Sequence, residues 1–358
     1  MNMKKMCFIM CVLIMLLSIA SVSASENITD DKISENNAEV DVSTSDDGTN
    51  PLKQDSQWIE EENTTNIISS DYEKENVLSQ ASDDTLSAEE YDFYVSPDGT
   101  GDGKSISDPT NWTYMMSNQF DGMKIKLLGG TFYINDQNIR FPHTTIVGST
   151  GTVIDGQSKG VIFTINQEYN VLENIIFING RATSQGGAVK WTASHGLINN
   201  CTFKSNFLSE DSGGAVYFSA AATYCTVNNT IFEKNSARNT GALWWNGQYG
   251  SLINCTFIGN SARYHAAVFW DANDGNISHC NFINGYSPKH DAGFGSRQNR
   301  INVEYCNFTN NHANSFGAAL EIEGGSYFTI SNCIFKDNYA GTYGGALRNV
   351  ASNSVLRD

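Results

Sequence analysis

The sequence predicts an all-β chain whose folded part is a right-handed parallel β-helix with a short N-terminal capping helix. Three observations predict it. A Phe landmark recurs in seven copies, at Phe177, Phe203, Phe232, Phe257, Phe282, Phe308 and Phe335, with spacings of 25 to 29 residues. Within each copy the apolar residues alternate by two, as in Cys255-x-Phe257, the period of a strand and not of a helix. The intervening residues are rich in Asn, Gly and Ser, which suit turns. About 25 residues with two or three short strands close one coil of a solenoid, and a unit that cannot bury its own face stacks on its neighbours.

From the N-terminus, Lys4 and Lys5, the apolar run Met6 to Ala20 and the small residues Val22-Ser23-Ala24 read as a signal peptide over residues 1–24. The apolar run is shorter than a spanning helix needs. No membrane span is therefore expected once the signal is cleaved, and the chain is expected outside the cell, at its surface. Residues 25–92 are expected to be an acidic disordered segment. They hold 20 of the 39 acidic residues against 3 of the 22 basic ones, so the net charge of −17 resides there. The remainder carries no basic patch, which excludes nucleic acid as a partner. Eight Asn-x-Ser/Thr sequons permit glycosylation.

The β-helix domain is expected over residues 93–358. Asp108 as N-cap and Pro109 as first helical residue open a short helix, with Trp112, Met115, Met116 and Phe120 on one face to cover the end of the solenoid. Strands follow at Lys124 to Leu128, Thr131 to Ile134, Thr144 to Val147, Val153-Ile154 and Val161 to Ile165, before the regular copies begin at Val171.

In each copy the residue two before the Phe is Ile175, Cys201, Thr230, Cys255, Cys280, Cys306 or Cys333. A position that accepts Ile and Thr wants a compact buried side chain, so the cysteines are expected as a reduced ladder and not as disulfides. No Cys-x-x-Cys pair exists to hold a metal, and no cofactor is expected. Three residues after the Phe stands Asn206, Asn235, Asn260, Asn311 or Asn338, with Gly180 and Gly285 in the other copies. These are expected to adopt left-handed turn geometry and to hydrogen-bond along the stack. Gly-Gly-Ala blocks, as at Gly186 to Ala188 and Gly213 to Ala215, mark a tight turn where a side chain would clash.

In the strand after each block, Val189, Val216, Leu243, Val268 and Leu320 with Trp191, Phe218, Trp245, Trp270 and Ile322 are expected to face inward. The intervening residues Lys190, Tyr217, Trp244, Phe269, Phe294 and Glu321 are expected to face solvent. Tyr217, Trp244, Phe269 and Phe294 would then form an exposed aromatic strip, the candidate ligand-binding surface for glycans or cell-surface proteins. A cross-strand stack that stabilises the sheet is the other reading.

The solenoid class also houses polysaccharide lyases and glycosidases, so a carbohydrate-active enzyme is the alternative function. Its constellation is His290, Asp291, Arg297, Arg300 and Glu304, beside His265, Asp271 and Asp274 of the preceding copy.

The Asn-Cys-Thr-Phe repeats with their following Asn-Ser-Ala and Gly-Gly-Ala blocks, as at Asn254 to Phe257 and Asn260 to Ala262, resemble the adhesin-like proteins of methanogenic archaea. Those in turn resemble bacterial polymorphic outer-membrane protein repeats. The stretches Tyr94 to Gly99, Ile146 to Gly148 and Ile154 to Gly156 resemble the start of such domains. The resemblance spans Phe93 to Asp358 and implies a non-enzymatic, surface-displayed adhesin, with no catalytic motif to carry over. Such proteins continue beyond this many repeats, so a domain truncated at its C-terminal end is expected.

Overall fold

A computed structural model describes residues 90–357. The expected signal peptide and nearly all of the expected acidic segment lie outside the described residues. The described chain is a right-handed parallel β-helix. Each of the seven regular coils from Val171 onward contributes one short strand to each of four parallel sheets, numbered here in the order the chain visits them. In one coil these are Leu197–Asn199 in sheet I, Thr202–Lys204 in sheet II, Phe207–Leu208 in sheet III and Val216–Phe218 in sheet IV. The four sheets hold 11, 9, 7 and 9 strands among the described residues.

The interior is built from rows of like residues. The landmark Phe rings from Phe177 to Phe335 stack on one another at centroid distances of 4.7 to 5.1 Å. The row Val189, Val216, Leu243, Val268 and Leu320 and the row Trp191, Phe218, Trp245, Trp270 and Ile322 are fully buried, as alternation requires. The cysteine row is buried and its described members are free thiols, with only Cys333 partly open. Each Sγ donates to a carbonyl of the coil before, as Cys255 does to Val227 at 3.6 Å.

The Asn row departs from expectation in its backbone. The left-handed residue is the one before it: Asn179 at φ 53°, Ser205 at 53°, Lys234 at 51° and Asn310 at 53°. The Asn side chain instead turns inward. Asn235 Oδ1 accepts from the Asn206 backbone N–H at 3.0 Å, and Asn235 Nδ2 donates to the Phe203 carbonyl at 2.9 Å. Each buried amide thus satisfies backbone groups of the neighbouring coil at a corner the sheets leave unpaired. The Gly-Gly-Ala turn is as tight as expected, since a Cβ on Gly214 would stand 2.1 Å from the Gly241 carbonyl oxygen.

At the N-terminal end, helix α1 spans Trp112–Ser117. Its N-cap is Asn111, not Asp108: Asn111 Oδ1 accepts from the Tyr114 N–H at 2.9 Å. Asp108 instead closes the preceding loop, its carbonyl accepting from the Gly103 N–H. Trp112 stacks on Phe163 at 5.4 Å and Met115 is fully buried, while Phe120 lies past the helix and is exposed.

Candidate functional site

The register of sheet IV decides what its outer face carries. Lys190, Tyr217, Trp244, Phe269, Gly295, Glu321 and Arg348 form one row. Tyr217, Trp244 and Phe269 are therefore neighbours, with the Trp244 and Phe269 rings 4.9 Å apart. Phe294 is not among them. It pairs with Val268 and Leu320 in the inward row and is fully buried, because backbone pairing places Gly295 where the motif suggested Phe294.

The row is also not an exposed strip. Tyr217 is 8 % exposed and Phe269 1 %, with Trp244 half-buried. Phe269 is covered from both sides of the strand, by His265 of the connection entering sheet IV and by Arg297 of the connection leaving it. The His265 ring stacks on Phe269 at 3.9 Å, and the Arg297 guanidinium lies 5.5 Å from the same ring. Glu321, expected in solvent, is likewise fully buried.

Where the aromatic row stops at Gly295, a cluster of titratable groups begins. The position three residues before the inward Val or Leu is Gly213 and Thr240 in earlier coils and Gly317 and Gly344 in later ones; His265 and Asp291 occupy it between them. His265 Nδ1 lies 2.7 Å from Asp291 Oδ2. Gly295 makes room for that carboxylate, since a Cβ there would stand 2.1 Å from Asp291 Oδ2. His290 Nδ1 lies 3.3 Å from Glu321 and 3.5 Å from Glu323, and Arg348 Nη1 bonds Glu321 Oε1. Arg297 is engaged by Asp271 through two hydrogen bonds of 3.0 and 2.8 Å.

Burial sets the electrostatics. It pushes His265 down to about 4 and, reinforced by the Glu321 carboxylate, pushes Asp291 well above the usual carboxylate range. Burial also raises Glu323, whereas the neighbouring Glu321 carboxylate raises His290. Burial thus favours the neutral imidazole of His265 in its 2.7 Å contact with Asp291.

The constellation read from sequence is therefore partly assembled. His265, His290, Asp291, Asp271 and Arg297 meet on sheet IV. Arg300 and Asp274 pair with each other at a different corner, at 2.5 and 2.8 Å, and Glu304 belongs to sheet I. Glu321, Glu323 and Arg348 were not anticipated. Their signal is positional: they share rows with Gly295 and Arg297 one or two coils away, which only the register reveals.

A second feature escaped the sequence reading. Two residues before successive sheet I strands stand His143, Tyr169, His195, Tyr224 and Tyr249, all in left-handed geometry. Their rings stack in an unbroken ladder at 5.1, 4.5, 5.2 and 4.8 Å. This ladder is exposed, with Tyr224 at 52 %. Beside it lies a cleft of about 450 Å³, lined among others by Pro142, Gln167, Glu168, Thr192 and Ser194. The legible signal was the Tyr/His spacing, which matches that of the Phe landmark.

No family model matches the chain, and no curated protein matches it. Among solved structures it is similar to the crystal structure of pectate lyase Pel9A, at 15 % identity over 74 % of this chain and 78 % of that one, with a TM-score of 0.41. It is also similar to ORF18 of Geobacillus virus E2, at 13 % identity over 67 % of this chain and 55 % of that one, with a TM-score of 0.30. A third is a mannuronic acid specific polysaccharide family 6 lyase from human gut microbiota, at 11 % identity over 61 % and 78 % of the two chains, with a TM-score of 0.24.

Proposed function

We propose that this chain is an exported, adhesin-like cell-surface protein whose solenoid presents a glycan-binding face. The observation that carries the reading is the exposed His143–Tyr169–His195–Tyr224–Tyr249 ladder with its polar cleft. Ring edges and phenol hydroxyls in a row, beside amide, carboxylate and hydroxyl groups, offer both the apolar contact and the hydrogen bonds that pyranose rings use. Coil-by-coil repetition spaces these groups at ~4.8 Å, so an extended polymer meets the same chemistry at several points. The test is binding of the full chain to a panel of polysaccharides. Tyr224→Ala with Tyr249→Ala is expected to weaken binding about tenfold or more, at roughly 1 kcal/mol for each aromatic contact. Undiminished binding by the double variant overturns the reading.

The convergence of His265, Asp291 and Glu323 favours one second reading, a carbohydrate-active enzyme on the same fold. Asp291 and Glu323 can place carboxyl oxygens within 4.8 Å of each other, and burial raises both. Such a pair can divide acid and base roles. Chain cleavage of a polysaccharide by the wild type, abolished in Glu323→Gln, would support it; no cleavage across the same panel would remove it.

A further inference from the structure

We infer that His265, His290, Asp291, Glu321 and Glu323 form a binding site for a divalent first-row transition-metal ion, with Zn²⁺ as its representative. The donors fall into two triads, His265–Asp291–Glu323 and His290–Glu321–Glu323. Within each, one donor atom per residue lies within 4.8 Å of the others. Glu323 belongs to both. The five side chains come from three successive coils, so the site exists only in the stacked solenoid.

An independent observation points to a ligand. Asp291 and Glu321 are fully buried, yet Asp291 Oδ1 and Glu321 Oε2 have no hydrogen-bond partner, and neither does His290 Nδ1. The 3.3 Å approach of His290 to Glu321 is an ion-pair contact out of line for a hydrogen bond. Buried carboxylate oxygens without partners are strongly unfavourable. A cation held in either triad would give its unpartnered donor atoms a ligand.

The flanking charges leave that role open. Arg348 bonds Glu321 through Oε1 and not Oε2, and Arg297 is engaged by Asp271. The backbone also gives way at the right places: a Cβ on Gly295 would meet Asp291, and one on Gly317 would stand 2.5 Å from the Glu321 Cβ. Glu323 and His290 are partly exposed and provide the entry path.

The donor set selects the metal class. Two imidazoles among carboxylates suit Zn²⁺ and its first-row neighbours, whereas Ca²⁺ and Mg²⁺ prefer oxygen alone. The buried cysteines lie in the interior of the solenoid and contribute nothing.

The full chain, first stripped with a chelator, is titrated with Zn²⁺ and Ca²⁺ by calorimetry, with melting temperature as a second readout. One or two Zn²⁺ per chain, preferred over Ca²⁺ and raising the melting temperature, is the expected result. Glu323→Gln is expected to lower Zn²⁺ affinity by at least the roughly tenfold that even an outer-shell partner of a metal ligand is worth. Should that variant fail to fold, the partly exposed His290→Gln makes the same comparison. Absence of Zn²⁺ binding, a preference for Ca²⁺, or wild-type affinity in the folded variant overturns the assignment.

Discussion

Ser205, Lys234, Tyr224 and His195 hold backbone φ angles of 51 to 57°, a region that costs a residue with a side chain roughly 1–2 kcal/mol. The solenoid offsets this through its corners. Each such N–H points along the axis and donates to the next coil, as Lys234 does to Ile258 at 2.9 Å and Tyr224 to Gln248 at 3.0 Å. Residue identity at these corners is thereby free to vary, and the stacked Tyr/His ladder is built on that freedom. The buried thiols follow a different logic. Burial raises Cys201 and Cys225 to about 12. A thiol raised in the folded state contributes stability that is complete below its unfolded value, near 9, and lost as pH climbs towards 12. Stability is thus expected to fall over that window by up to about 1.4 kcal/mol per pH unit for each thiol. Urea melts between pH 8 and 11 check this, and replacing Cys225 with Ala should shallow the slope. In native protein near neutral pH, these thiols should resist alkylation until denaturant is added.

At the scale of elements, the corner after each sheet II strand shows how ladders close the coil. Asn206, Asn235 and Asn260 form one continuous run, and Asn311 with Asn338 another, with Gly180 and Gly285 where the run breaks. At Gly285 the backbone N–H still donates to Asn311 Oδ1 at 3.0 Å. The glycine is required by space and not by dihedral angle, since a Cβ would stand 2.1 Å from the Ala292 carbonyl oxygen. Asn235→Ala would strand the Asn206 N–H and the Phe203 carbonyl inside the protein. A loss of about 3 kcal/mol is expected, at roughly 1–3 kcal/mol for each orphaned group. A lower urea midpoint with an unchanged denaturant slope confirms it.

Seen as a whole molecule, the solenoid keeps its repeating interior apart from its varying outer face. Interior rows of Phe, Trp and Val repeat with little change, because each coil must match the one above and below it. The variable positions gather on two outer features, the sheet IV cluster and the ladder before sheet I. Phe294 shows how the two can be confused. Its copy lacks the Gly-Gly-Ala signature, so the motif could not anchor its register, and it proved to be an interior residue.

The sequence by itself determined the solenoid, its coil length and its inward Phe, Trp, Val and Cys rows. Those follow from spacing, since residues one coil apart must stack whenever the period holds. It also named His265, His290, Asp291, Asp271 and Arg297 as chemistry worth watching. Only the tertiary structure decided that Tyr217 and Phe269 are covered, that Phe294 points inward, and that Glu321 and Glu323 complete the cluster. The physical reason is that the outer surface depends on two things a single copy does not encode. One is the backbone pairing that sets lateral neighbours; the other is the path of the connections entering and leaving sheet IV.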